Sequence, residues 1–140
     1  DGAIASIHST FRQSKDLMTK RILKGLDHPK VRILGHPTGR LLNQREGVEA
    51  DWPKVFQFCK KHNKALEINS APSRLDLPDL LVRQAIKDGV KIIINTDSHA
   101  IDNMSIMKFG VAVGRRSWAT TKDVINTWNY EKFRQWVYNK

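Results

Sequence analysis

Asp97 and His99 stand two residues apart in the run Asn95-Thr96-Asp97-Ser98-His99. A carboxylate and an imidazole together suit a divalent transition metal. If an extended strand runs through them, they project to the same side. The local alternative has Asp97 capping a following helix and His99 as a solvated loop residue. Two further imidazoles, His8 and His36, also end apolar runs, Ile4-Ala5-Ser6-Ile7 and Val31-Arg32-Ile33-Leu34. Asn69 ends a third, Ala65-Leu66-Glu67-Ile68. His28, in the turn Asp27-His28-Pro29, and His62, at a helix end, fall toward the opposite ends of these elements.

The elements that must position these groups can be read from their patterning. Val90-Lys91-Ile92-Ile93-Ile94 is the β-branched run of a strand buried on both faces, as in parallel sheets. The polar strand ends at His8, His36, Asn69 and Asp97 recur at intervals of 28, 33 and 28 residues, the size of one βα unit. Four units in a row predict an α/β chain of parallel βα repeats, whose ligands gather at the carboxyl ends of the strands. An open sheet and part of a barrel both satisfy this. A complete (β/α) barrel needs roughly 250 residues, so the chain would supply about its second half.

Between the strands, Ser14 is placed to cap a helix with Leu17, Met18, Ile22 and Leu26 on its apolar face. Asp51 is placed to cap a second helix, with Pro53 in its first turn and Trp52, Val55, Phe56 and Cys59 inward. A third starts near Pro78, buries Leu81, Val82, Ala85 and Ile86, and ends at Gly89. Met104, Ile106, Met107 and Phe109 predict a short core helix, and Val111-Ala112-Val113 a short strand. Thr120 with Asp123 has the form of a capping box. A last helix from about Asn129 would bury Phe133, Trp136 and Val137.

The chain has 140 residues, 40% hydrophobic and 27% charged, enough for one domain with a real core. No run approaches the ~18 apolar residues of a membrane span, and no signal-peptide pattern opens it. The single Cys59 reads as a buried thiol in a reducing, cytoplasmic compartment. Twenty-four Lys and Arg against 14 Asp and Glu give a formal charge of +10, which favours a polyanionic partner, nucleic acid first. The first residue is Asp1 and a strand follows almost at once, so the chain reads as a piece of something longer.

Ser6-Ile7-His8-Ser9, Gly35-His36-Pro37-Thr38-Gly39-Arg40, Leu66-Glu67-Ile68-Asn69 and Asn95-Thr96-Asp97-Ser98-His99, in this order and spacing, resemble the later motifs of the PHP (polymerase and histidinol phosphatase) domain. The wording is most similar to the PHP domain at the C-terminus of bacterial family X DNA polymerases, including Arg74-Leu75-Asp76-Leu77 and Gly110 to Arg116. The resemblance covers nearly the whole chain, residues 1–140. It implies the C-terminal portion of a distorted (β/α)7 TIM-like barrel with a trinuclear manganese or zinc centre. It also implies metal-dependent 3′-5′ exonuclease activity in DNA repair. By position His8 and His36 would share one ion, Asp97 would hold a second and His99 a third. The family's opening His-x-His motif, a further early His or Asp, and a mid-domain Glu have no counterpart here and would lie upstream of Asp1. Glu67 does not fill that gap.

Such a centre suits phosphodiester hydrolysis, because metal ions lower the pKa of water and stabilise charge on the phosphoryl and leaving oxygens. Arg40, beside His36, is the first candidate to orient the phosphate, with Lys15, Arg74 and Asn69 behind it. Two alternatives stand beside a DNA exonuclease: a phosphomonoesterase of the histidinol phosphatase type, and a non-catalytic DNA-binding scaffold. Half a barrel would also leave open strand edges that invite association, and the isolated chain is expected to be inactive.

Overall fold

The computed structural model describes residues 2–138. Four parallel strands, β1 (Ala3–Ser6), β2 (Val31–Gly35), β3 (Ala65–Asn69) and β4 (Lys91–Asn95), form one sheet in the order β1-β2-β3-β4. They alternate with α1 (Lys15–Asp27), α2 (Trp52–Lys61) and α3 (Asp79–Lys87). A 3-10 turn (Ile101–Ile106), α4 (Met107–Arg116), a second 3-10 turn (Ile125–Thr127) and α5 (Tyr130–Tyr138) complete the chain. The α/β class and the parallel βα repeats are as the patterning predicts. Strands in sequence order, with α1 to α4 touching in the same order, make an arc compatible with part of a barrel.

Alternation along the strands separates two cores. Leu34, Leu66, Ile68, Ile92 and Ile94 face the helices, against Met18, Ile22, Val55, Phe56, Val82 and Ala85. Ile33, Ala65 and Ile93 face the other way and are covered by Trp136, with Trp128 and Val137 packed beside them. Further along that second face the side chains turn polar: Glu67 and Asn69 follow Ala65 on β3, and Asn95 follows Ile93 on β4. One face of the sheet is thus apolar at its base and polar at its carboxyl rim. Gly35 sits at this level on β2, where a Cβ would come within 2.7 Å of Ser6 Oγ and 2.8 Å of Ile4. Only glycine lets the β1 and β2 ends approach this closely.

The sheet edges differ. β4 is covered by the segment after α4: Ile92 N–H donates to Asp123 O at 2.9 Å and Ile92 bridges Val124 in parallel. The Asn126 amide then stands in for a strand, accepting from Ile94 N and donating to Ile94 O at 2.7 and 2.9 Å. Covering an edge in this way removes a template for unwanted pairing. Of the two edges expected to be open, the β4 edge is therefore closed.

Several local expectations are corrected. Val111-Ala112-Val113 lies inside α4, not in a strand; three residues bounded by Gly110 and Gly114 fit one turn of helix packed on β4. A Cβ on Gly110 would lie 2.6 Å from Ile94 Cγ2. Met104 and Phe109 are exposed, and Leu17 is exposed on α1, where Thr19 takes the inward position. Phe133 is also exposed, so Trp136 alone is buried on α5. Ser14 occupies the N-cap of α1 without a side-chain bond, whereas Asp51 caps α2 by accepting from Lys54 N–H. Thr120 and Asp123 do bond, at 2.9 and 2.7 Å, but close a turn rather than a helix. Cys59 is buried as expected.

Candidate functional site

β1 and β2 end beside one another, so the residues that follow meet at the rim: the His8 and His36 rings lie edge to face, 5.1 Å between centroids. His36 is buried and its backbone is left-handed, φ 28°, a conformation that non-glycine residues seldom adopt and that marks constrained sites. Its N–H donates to Glu67 Oε2 at 2.6 Å. Burial first, and the Arg74 charge second, hold its imidazole pKa below the usual value. The ring is thus kept neutral, the form that binds metal. Its Nδ1 is buried without a hydrogen-bond partner.

Glu67 knits the strand ends together. Oε2 accepts from His36 N–H and, at 3.4 Å, from Asn69 Nδ2, while Oε1 accepts from Asn95 Nδ2 at 2.8 Å. It is a structural carboxylate, consistent with its exclusion from the ligand set. Asn69 is fully buried and has no open donor for a phosphate: Nδ2 also donates to Asp97 Oδ2 at 3.2 Å, and Oδ1 accepts from Ala71 N–H at 3.0 Å. Its amide thus holds the Asp97 carboxylate.

Asp97 and His99 do not project from a continuing strand. β4 stops at Asn95, and Asp97 turns left-handed with φ 56°. Both side chains are exposed, and His99 Nδ1 lies 2.8 Å from the Asp97 carbonyl oxygen. The expected four residues thus occupy the rim as two groups, His8 with His36 and Asp97 with His99, separated by Glu67 and Asn69. Among the described residues, no three of His, Cys, Asp or Glu come together as a metal site. The pair His8 and His36, with its unpartnered buried nitrogen, has the chemistry of a partial site.

The basic candidates also divide. Arg40 spends Nε on Arg74 O at 2.8 Å and Nη2 on Leu75 O. It thereby braces the loop that carries Arg74. Arg74 is half-buried, and its Nη1 is buried with no partner; an unsatisfied buried cationic donor calls for an anion. Lys15 is exposed on the first turn of α1.

Asp76 enters the sequence reading only as part of the Arg74-Leu75-Asp76-Leu77 wording, with no role of its own, yet it completes this brace. It is fully buried and accepts from Thr38 N–H and Gly39 N–H, at 3.0 and 2.8 Å from Oδ2. Desolvation pushes its pKa up to about 6 against the lowering effect of these bonds. Its backbone pairs with Asn69. The loop after β2 and the loop after β3 are thus clasped by Arg40 from one side and Asp76 from the other.

Fold and site define a parallel α/β chain whose carboxyl rim presents imidazole and carboxylate donors beside a half-buried arginine. The chain is similar to the DNA polymerase/3′-5′ exonuclease PolX of Bacillus subtilis (strain 168), at 43% identity over 126 residues, 90% of this chain and 22% of that protein. It is also similar to probable phosphatases of Thermoanaerobacter sp. (strain X514), 29% over 91% of this chain and 53% of the relative, and of Caldicellulosiruptor saccharolyticus, 30% over 71% and 42%. No protein-family model matches the chain. These likenesses bear out the resemblance to a bacterial family X DNA polymerase and are consistent with a PHP-like domain. The chain spans about half or less of the length of these relatives. Among the described residues no helix is long and apolar enough to cross a membrane.

Proposed function

We propose that this chain carries part of the active rim of a metal-dependent phosphodiesterase, a 3′-5′ exonuclease acting on DNA. The observation that carries the reading is the juxtaposition of the His8–His36 pair with Arg74: an unpartnered imidazole nitrogen and an unpartnered guanidinium nitrogen, both buried, at the carboxyl ends of parallel strands. Metal donors next to an anion-binding cation are what hydrolysis of a phosphate ester needs. The likeness to a polymerase/3′-5′ exonuclease supports the DNA substrate, as does the charge of +10.

His8 and His36 would hold one manganese or zinc ion, and Asp97 and His99 would contribute to others, with the remaining ligands coming from sequence outside these 140 residues. Such ions supply Lewis acidity and lower the pKa of bound water. The chain's own residues do the positioning. Glu67 fixes the His36 backbone, Asn69 orients the Asp97 carboxylate, and Arg74 binds a phosphate oxygen while Arg40 holds its backbone in place.

The test is a nuclease assay on 3′-labelled single-stranded DNA with manganese and with chelator. It compares the chain alone, a longer protein containing it, and that protein with Asp97→Ala. Chelator-sensitive digestion is expected from the longer protein, with large loss in the variant and little activity from the chain alone. Undiminished digestion by the variant would move the chemistry to other residues. A second reading, phosphomonoester hydrolysis, is favoured by the phosphatase relatives; release of phosphate from histidinol phosphate, without DNA digestion, would select it.

A further inference from the structure

We infer that the guanidinium of Arg45, stacked on Phe11, is a platform for a nucleobase of a single-stranded substrate, in the groove beside the His8–His36 pair. The inference rests on the DNA-directed reading above and names how that substrate is gripped.

Two loops leave the rim side by side, one after His8 and one after His36. Between them lies a groove of about 840 Å³ lined by Phe11, Arg12, Leu41, Gln44 and Arg45 among others, within the ~300–1,000 Å³ typical of ligand sites. Its floor is rigid. Leu41 and Arg45 exchange backbone hydrogen bonds at 2.9 and 2.8 Å, and Leu42 N–H donates to Ser73 O at 2.7 Å. Gly39, with φ +64°, lets the Phe11 ring approach so closely that a Cβ there would sit 2.9 Å from it. Gly39 N–H in turn donates to His36 O at 2.9 Å, which links the groove to the imidazole pair.

Arg45 is held in one orientation from two directions. Its Cζ lies 3.7 Å from the Phe11 ring centroid, and Nε and Nη2 both donate to Gly39 O, at 3.0 and 2.7 Å. With its central carbon over the ring and one edge tied to a carbonyl, the guanidinium would offer its opposite face to a base entering the groove. Nucleobases stack on such planes, and every base has the π-face required. Arg12, exposed on the neighbouring loop, supplies charge for the backbone, against one opposing acid, Glu46. A purely electrostatic phosphate contact would need neither the ring nor the paired hydrogen bonds to the Gly39 carbonyl.

The test measures anisotropy of a short labelled single strand and of an abasic strand of equal length, at low salt, with the 140-residue chain, Arg45→Lys and Phe11→Leu. Lysine keeps the charge but has no plane; leucine keeps apolar support but cannot hold the guanidinium flat. Folding of each variant is checked by circular dichroism, and a variant that unfolds leaves the other to decide. Each folded variant is expected to bind the base-bearing strand about tenfold more weakly, the scale of one lost stack, with abasic binding unchanged. Equal weakening on both strands, or on neither, would overturn the platform while leaving DNA binding intact. Failure of the unaltered chain to bind either strand would overturn the platform together with the DNA-directed reading.

Discussion

Glu67 Oε2 accepts the backbone N–H of His36 at 2.6 Å, so the backbone that carries an imidazole at the β2 end is held by a carboxylate on β3. The same carboxylate takes the amides of Asn69 and Asn95. Replacing it with alanine strands two buried donors and the partly buried amide of Asn95, at about 1–3 kcal/mol for each buried one left unsatisfied. Glu67→Ala is expected to lower unfolding free energy by several kcal/mol and to shift the His36 imidazole resonances; Glu67→Gln, which keeps one acceptor oxygen, should lose less. Urea unfolding and proton–nitrogen NMR check this. A loss near zero would show that the rim does not depend on this carboxylate.

Asp76 makes stability depend on pH in the direction opposite to a salt-bridged carboxylate. Its folded-state pKa is raised from 3.8 to about 6, chiefly by burial. Protonation therefore favours the folded state, and the Asp76 contribution is fully present below the unfolded pKa and lost as pH rises through the folded one. The shift corresponds to about 3 kcal/mol across that window. The stability of the unaltered chain relative to Asp76→Asn should fall between pH 3.8 and about 6 and be flat above. A difference that rises over this range would contradict the burial argument.

Cys59 is fully buried in the helix–sheet core, and desolvation pushes its thiol up to about 12. The thiolate is the reactive form, so alkylation at neutral pH should track unfolding alone. Iodoacetamide labelling is expected to be negligible in buffer and complete in denaturant; rapid labelling of the folded chain would place the thiol at the surface.

The His8–His36 pair should bind zinc weakly, having two donors where a catalytic site usually has three. Zinc titration followed by NMR is expected to move the His8 and His36 ring signals, reversibly with chelator. His62, stacked on Phe58 at 4.2 Å, and the exposed His28 should move far less. His36→Ala should abolish the response. Equal shifts at all imidazoles would mean non-specific binding.

The strand positions and most helix faces were legible in the amino-acid sequence because they rest on short-range signals. β-branched runs, caps such as Asp51, and polar residues at the ends of apolar runs act within a turn or a strand. Their recurrence at 28 to 33 residues was enough to read four parallel βα units. Val111-Ala112-Val113 misled because three β-branched or small residues satisfy a strand and a helix turn equally, and packing of Gly110 and Gly114 against β4 decided between them.

The division of labour at the rim was settled by contacts across 31, 34 and 38 residues: Glu67 to His36, Arg40 to Arg74, and Asp76 to Thr38. Position beside His36 ranks Arg40 ahead of Arg74, and residue type marks Glu67 and Asp76 as ordinary carboxylates. Only the tertiary fold ties Arg40 Nε and Nη2 to carbonyl groups, leaves Arg74 Nη1 buried and unpaired, and surrounds Asp76 with N–H groups out of reach of water. A hydrogen bond goes to whichever partner lies within about 3 Å, and across intervals of this length that distance is fixed by how the strands pair and the loops clasp.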